Sequence, residues 1–229
     1  MSLACRFFTD TEALAAEAAR LIATAIRSAV DTRGECILAL TGGSSPILTY
    51  RKLTELDIDW SKIHFVQTDE RMTTDRNRRS ATVIESAFGI DGAGPKSISA
   101  QWHPVPAGPS GEATAAYDLQ LAAIRPVGVP DIAVLGLGTD GHIASISDKD
   151  LNSPSIQRVI PTMIDGEQRL SLHPDYLASI PTRVLLAIGS TKQDALASVL
   201  AHAIGAPAVP AAVVLGTDGH IFADDSARP

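Results

Sequence analysis

The chain has 229 residues, 45% of them hydrophobic, with a formal net charge of −7 and a sequence pI near 5.3. That apolar content supports an ordinary core in one large domain or two small ones. The acidic balance argues against nucleic acid as a partner, so an anionic substrate would need a local cluster of cations and backbone N–H groups working against the overall field. Two cysteines, Cys5 and Cys36, make neither a disulfide framework nor a zinc spacing. This fits a reducing, cytoplasmic setting, with Cys5 a core residue. No apolar run approaches the roughly 18 residues that a membrane helix needs, so no membrane partner is expected.

In chain order, Leu14, Ala18, Leu21, Ile22, Ala25 and Ile26 recur at helical spacing behind capping candidates Thr9 to Thr11. They predict a first element that is an amphipathic helix over about residues 10–32. Cys36 to Leu40 is a short apolar run, Thr41-Gly-Gly-Ser-Ser-Pro46 breaks it, and Ile47 to Leu53 resumes helical spacing with Pro46 placed for the first turn. The same alternation follows at Ile63 to Gln67 with a helix near Ser80 to Phe88, at Ile132 to Leu135, and at Val184 to Ile188 with a helix near Lys192 to Leu200. Gly89 to Pro95 and Pro104 to Gly111 are loop-rich, and no Gly/Ser linker divides the chain. The expected fold is α/β, a single domain over residues 1–229 built on one doubly wound, mostly parallel, Rossmann-like sheet with helices on both faces. At the C-terminal end, Asp218-Gly219 between the strand-like runs Ala211 to Leu215 and Ile221 to Ala223 predicts a hairpin.

Open sheets of this type bind ligands beyond the C-terminal ends of their strands. In Thr41 to Pro46 the glycines admit a ligand to the backbone, the serines supply donors, and the next helix presents free N–H groups, which together suit an oxyanion. The segment is neither a Walker A loop nor a GxGxxG fingerprint. In Gln67-Thr-Asp-Glu-Arg71 a carboxylate stands beside a cation; it can serve proton transfer, or Asp69 can cap the next helix with Glu70 and Arg71 solvated. Gly136-Leu-Gly-Thr-Asp-Gly-His142 is a cramped strand-end loop in which Asp140 can orient the imidazole of His142 for base catalysis. The heptapeptide Leu137 to Ile143 recurs as Leu215 to Ile221, and the hairpin expected there makes His220 a turn residue. Lys192 falls at a helix start, where a cation opposes the dipole and an anion is invited.

Taken in order, these segments resemble the 6-phosphogluconolactonase family, within the wider group that includes glucosamine-6-phosphate deaminase. The family's Ser-Gly-Gly-Ser-Thr-Pro loop is similar to Thr41 to Pro46, its Asp-Glu-Arg segment to Asp69-Glu70-Arg71, and its Gly-x-Gly-x-Asp-Gly-His-x-Ala-Ser segment to Gly136 to Ser145. A later Arg before a strand and a Gly-x-x-Lys turn match Arg169 and Gly189 to Lys192. Four positions, Ala81, Ile146, Ser147 and Asp148, depart from the pattern. Relatives carry Ser-Asn where this chain has Ser80-Ala81, lactonases continue Ala-Ser-Leu-Phe-Pro where it reads Ala144-Ser-Ile-Ser-Asp148, and the deaminases' catalytic glutamate position is Ser147.

The resemblance implies hydrolysis of 6-phospho-D-glucono-1,5-lactone to 6-phosphogluconate, a step of the oxidative pentose phosphate pathway. On this reading His142 is the base and Asp140 its orienting partner. Gly42, Gly43, Ser44, Ser45, Asp69, Arg71, Gly138, Arg169 and Lys192 form the substrate site, with Arg169 and Lys192 on the phosphate. No metal or cofactor is called for, and the protein is expected to act as a monomer or weak homodimer on a small phosphorylated sugar lactone. The alternatives are a deaminase or sugar-phosphate isomerase that depends on Asp69 to shuttle a proton, and a non-catalytic sugar-phosphate-binding protein.

Overall fold

The computed structural model describes residues 3–90, 98–151, 157–202 and 207–229. Ten strands and seven α-helices lie within these residues. The chain opens on β1 (Ala4–Phe8) and not on a helix. It continues through α1 (Thr11–Arg33), β2 (Cys36–Leu40), α2 (Ile47–Thr54), β3 (Ile63–Gln67), β4 (Asp69–Arg71) and α3 (Ser80–Phe88). Next come β5 (Gln101–His103), α4 (Ser110–Ile124), β6 (Ile132–Gly136), β7 (Val159–Ile164), β8 (Glu167–Leu172) and α5 (Pro174–Ala178). The last elements are β9 (Thr182–Ala187), α6 (Gln193–His202), α7 (Pro210–Leu215) and β10 (His220–Asp224).

Seven strands form one sheet in the order β1-β10-β9-β6-β2-β3-β5, every neighbouring pair parallel. Both of its faces are covered, which is why its strands are continuous apolar runs without alternation. In β2, Cys36, Leu38 and Leu40 face the core beneath α1, α2 and α3, with Ile22, Tyr50 and Phe88. Ile37 and Ala39 face the opposite core beneath α4 to α7, with Tyr117, Leu196 and Leu215. Helix α1 is bounded by local chemistry: the Asp10 carboxylate accepts from the N–H groups of Glu12 and Ala13, and Gly34 closes it at φ +81° with its N–H on the Val30 carbonyl. Cys5 is half-buried against the second core. Burial pushes its thiol up to about 11, against the pull of Arg228, so it is an inert packing group.

A second, antiparallel sheet in the order β4-β8-β7 stands beside the first. Its hairpin turns at Asp165-Gly166, both with positive φ (51° and 74°), as a two-residue turn of the primed type requires. Among the described residues this is the hairpin. The expected C-terminal hairpin is corrected: residues 210–215 are helix α7, not a strand, and β10 joins the main sheet parallel to β1 and β9. Pro210 at the first turn and the Ala-Ala pair after it favour a helix over an edge strand. An Asp-Gly pair signals a hairpin only when it joins two strands, and here that condition holds at 165–166 and fails at 218–219. Helix α4 begins at Ser110, in the last two residues of the loop expected over 104–111, and no helix was expected there; residues 91–95 of the other expected loop lie outside the described residues.

Strand order fixes where a ligand can sit. From β2 the chain adds β3 and β5 on one side, whereas β6, β9 and β10 lie on the other. The loops after β2 and β6 therefore part at their carboxyl ends and leave a crevice there.

Candidate active site

A cavity of about 470 Å³ opens at this crevice. Its wall contains ten of the eleven residues that the sequence nominated: Gly42, Gly43, Ser44, Ser45, Asp69, Arg71, Gly138, His142, Arg169 and Lys192. Asp140, the eleventh, stands behind His142 and lines a neighbouring depression of about 310 Å³ that shares the His142 ring.

The loop after β2 forms one wall. Gly43 takes φ +85°, open to a glycine and strained for other residues. Among the described residues no backbone carbonyl accepts from the N–H groups of Gly43, Ser44 or Ser45, which precede α2. At Gly42 a Cβ would come within 2.6 Å of the Ser80 side chain, so the loop passes close over the start of α3.

The three residues of Asp69-Glu70-Arg71 separate into three environments. Asp69 is buried at the cavity wall, where Oδ1 accepts from Thr68 Oγ1 at 3.0 Å and Thr41 Oγ1 at 3.3 Å, and Oδ2 accepts from Ser145 Oγ at 2.7 Å. Glu70 turns the other way, is fully buried, and takes the N–H groups of Ser80 (2.7 Å) and Ala81 (2.9 Å) together with Arg79 Nε at 3.2 Å. The helix cap of this segment is thus Glu70 and not Asp69, and Glu70 is buried where a solvated side chain was expected. Arg71 points into the cavity from β4, with Nε on Glu167 at 3.1 Å and Nη1 on the Arg78 carbonyl at 3.1 Å. The segment is a strand, paired with β8, where the sequence suggested a loop.

The loop after β6 carries the imidazole. His142 Nδ1 lies 2.6 Å from Asp140 Oδ1, and the His142 backbone N–H donates to the same oxygen at 3.2 Å. Partial burial works against the Asp140 carboxylate, but the His142 backbone N–H, the imidazole charge and the ring hydrogen bond outweigh it and hold the carboxyl below its ordinary value. A charged Asp140 only accepts, so the nitrogen facing it, Nδ1, carries a proton, and Nε2 is the nitrogen that serves as base when the ring is neutral. A Cβ at Gly138 would overlap the ring, and the Gly138 N–H donates to the His142 carbonyl at 2.7 Å. Below the loop, the Ala211 N–H at the start of α7 donates to the Gly141 carbonyl at 3.1 Å.

Two further cations complete the wall. Arg169 stands on β8 directly opposite Arg71. Lys192 ends a short 3-10 turn just before α6, and among the described residues no carboxylate pairs with it. The second heptapeptide lies at the other end of the sheet. His220 is the first residue of β10, paired with Val184 near the start of β9, whereas His142 follows the carboxyl end of β6. It is a strand residue rather than a turn residue.

The profile of the glucosamine-6-phosphate isomerases/6-phosphogluconolactonase family matches residues 9–223. The chain belongs to this family. The 6-phosphogluconolactonase of Mycobacterium leprae is 30% identical over 240 residues, covering 95% of this chain and 94% of its own length. That of Rhizobium meliloti is 32% identical over 208 residues, covering 86% and 87%. In fold, the 6-phosphogluconolactonase of Trypanosoma brucei superposes with a TM-score of 0.83 at 22% identity, over 99% of this chain and 97% of that one. A monomeric glucosamine-6-phosphate deaminase superposes with 0.77 at 20% identity, over 98% of each.

In this member of the 6-phosphogluconolactonase and isomerase family, sequence reasoning passed over Thr41, Ser145 and Glu167. Ser145 closes the motif that begins at Gly136. Glu167 lies two residues from Arg169, a spacing that puts both on one face of a strand. At the departures from the family pattern, Ser80 lines the cavity, Ala81 contributes its backbone N–H to Glu70, and Ser147 is tied to Asp150 through its N–H (2.8 Å) and hydroxyl (2.7 Å).

Proposed function

We propose that the protein hydrolyses the ring ester of 6-phospho-D-glucono-1,5-lactone to 6-phosphogluconate, with water activated by His142. The observation that carries this reading is the Asp140–His142 pair, 2.6 Å apart, at the rim of a cavity whose opposite walls hold a glycine-serine cradle and three cations. The kinship with named 6-phosphogluconolactonases over most of the chain supports the same substrate.

The cradle of Gly42 to Ser45, with Arg169 and Lys192, grips the phosphate by charge-assisted bonds and so orients the ring. His142 Nε2 takes a proton as the water oxygen bonds to the lactone carbonyl carbon, and Asp140 stabilises the imidazolium that forms. Arg71, whose Nη2 has no partner among the described residues, faces the developing oxyanion. When the C–O bond of the ring breaks, the proton on Nε2 passes to the departing ring oxygen, and the acid product ionises. A lactone is already an activated ester, so a base worth about 10²–10⁴-fold and good positioning suffice. The isomerase and deaminase reading lacks its carboxylate at position 147, where the Ser147 hydroxyl is engaged with Asp150.

The reaction is assigned to a single domain over residues 1–229, acting in the cytoplasm as a monomer or weak homodimer. Among the described residues no helix is long and apolar enough to cross a membrane. The test is pH-stat measurement of 6-phosphogluconolactone hydrolysis, corrected for the spontaneous rate. Wild type is expected well above the blank and His142→Ala close to it; a wild type that merely matches the blank rejects the reading.

A further inference from the structure

We propose that Glu167 is a positioning residue that aims Arg71 and Arg169 into the cavity. The inference rests on the lactonase reading for its substrate, though not for its anion. Arg71 and Arg169 are directly opposed across the antiparallel pair β4 and β8. Like charges placed this way repel, and long side chains on neighbouring strands relieve the repulsion by swinging apart. Glu167 prevents this. It precedes Arg169 by two residues on β8, on the same face of the strand. Its Oε2 accepts from Arg71 Nε at 3.1 Å and from Arg169 Nη2 at 3.2 Å, while Oε1 takes Nη2 of Arg78.

Both arginines line the cavity, and Glu167 stands behind them. A guanidinium is a rigid planar fork, so fixing one edge of each group fixes the direction of the other. The edges held by Glu167 leave Arg71 Nη2 and Arg169 Nη1 without protein partners among the described residues, and Arg169 Nε is buried and also unpartnered. A buried charged donor without an acceptor is unfavourable, and an incoming anion relieves it. One carboxylate shared by Arg71, Arg78 and Arg169 also leaves this corner cationic within an acidic chain.

Simple Coulomb attraction and positioning predict opposite outcomes. If Glu167 acts only as a nearby negative charge, its removal tightens anion binding. If it positions the arginines, removal weakens binding. Inorganic phosphate is titrated calorimetrically into wild type, Glu167→Gln and Glu167→Ala, and KM and kcat for the lactone are measured on the same proteins. We expect phosphate to bind about 10-fold more weakly to both variants, the loss of one charge-assisted contact, with KM raised by a similar factor through Arg169 and kcat lowered as well through Arg71, which faces the oxyanion. Phosphate affinity that is unchanged or tighter overturns the proposal, as does a fall in kcat with KM constant. If neither variant folds, Glu167→Asp retracts the carboxylate by one methylene and keeps the charge; weaker phosphate binding supports the clasp and equal binding overturns it. Should wild type bind phosphate without hydrolysing the lactone, the reaction assignment falls, and the phosphate titration still decides the role of Glu167.

Discussion

Ser145 donates its hydroxyl to Oδ2 of Asp69 over 2.7 Å and so ties the loop after β6 to the first residue of β4. Both residues are buried, and Thr68 and Thr41 serve only the other carboxylate oxygen. Ser145→Ala leaves Oδ2 of a buried carboxylate short of a donor, which destabilises the fold by about 1–3 kcal/mol. It also frees the loop that carries His142 from the strand that carries Asp69. A lower urea midpoint together with reduced lactone hydrolysis is expected; an unchanged midpoint would show that the bond contributes nothing.

Gly138 is required by the imidazole rather than by the substrate. Because a Cβ there occupies the space of the His142 ring, Gly138→Ala displaces the ring by about an ångström, and kcat/KM falls on the order of 10²-fold. Melting temperature serves as the control, since the fold-determining cores are untouched. Wild-type activity in this variant would mean that the ring stands elsewhere during turnover.

Glu70 is a structural carboxylate. It is fully buried, caps α3 through the Ser80 and Ala81 N–H groups, and is the partner of Arg79. Removing it strands the Arg79 charge, so Glu70→Ala loses about 3–5 kcal/mol of stability. The double variant Glu70→Ala/Arg79→Met is expected to recover part of that loss in chemical denaturation. No recovery would assign the damage to the helix cap alone.

The two histidines of the repeated heptapeptide separate in a paired experiment. His142→Ala is expected to abolish most lactone hydrolysis, whereas His220→Gln, at the far end of the sheet, leaves it nearly intact. Equal losses would undo the assignment of His142.

His220 carries a pH signature in stability instead. Its burial, reinforced by Arg6 and Arg183 and opposed by Asp218, holds its pKa below the ordinary 6.5. The unfolded chain therefore binds the proton more readily than the folded one. Stability is full above about pH 6.5 and declines as pH falls from there toward the lowered folded value. His220→Gln should flatten the part of the stability profile between pH 7 and 5 that this residue contributes; a profile parallel to wild type would remove His220 as a source.

Legibility in the sequence followed the range of the interactions involved. The boundaries of α3 at Ser80 and Phe88 and of β2 and β3 were readable from composition and punctuation, because capping and burial on two faces leave local marks. Strands β1, β4, β5, β7 and β8 were missed, since such strands are set by the partner they meet and not by their own pattern. Glu70 and Arg71 were readable as candidates but not as different devices, because only the approach of α3 and β8 gives each its partner.

The repeated heptapeptide shows the same boundary at its sharpest. By itself the sequence determined the parallel α/β sheet and its ligand edge, since both rest on nearest-neighbour rules of strand, glycine loop and helix start, whereas Arg169 became a site candidate through the family resemblance. Only the tertiary structure decided that Leu215 to Ile221 leads from a helix into a strand second from the sheet edge while Leu137 to Ile143 folds over Gly138 at the crevice. Identical residues carry identical local preferences, and what separated the two copies was the free energy of packing against different neighbours: α7 beneath one, β1 and β9 beside the other.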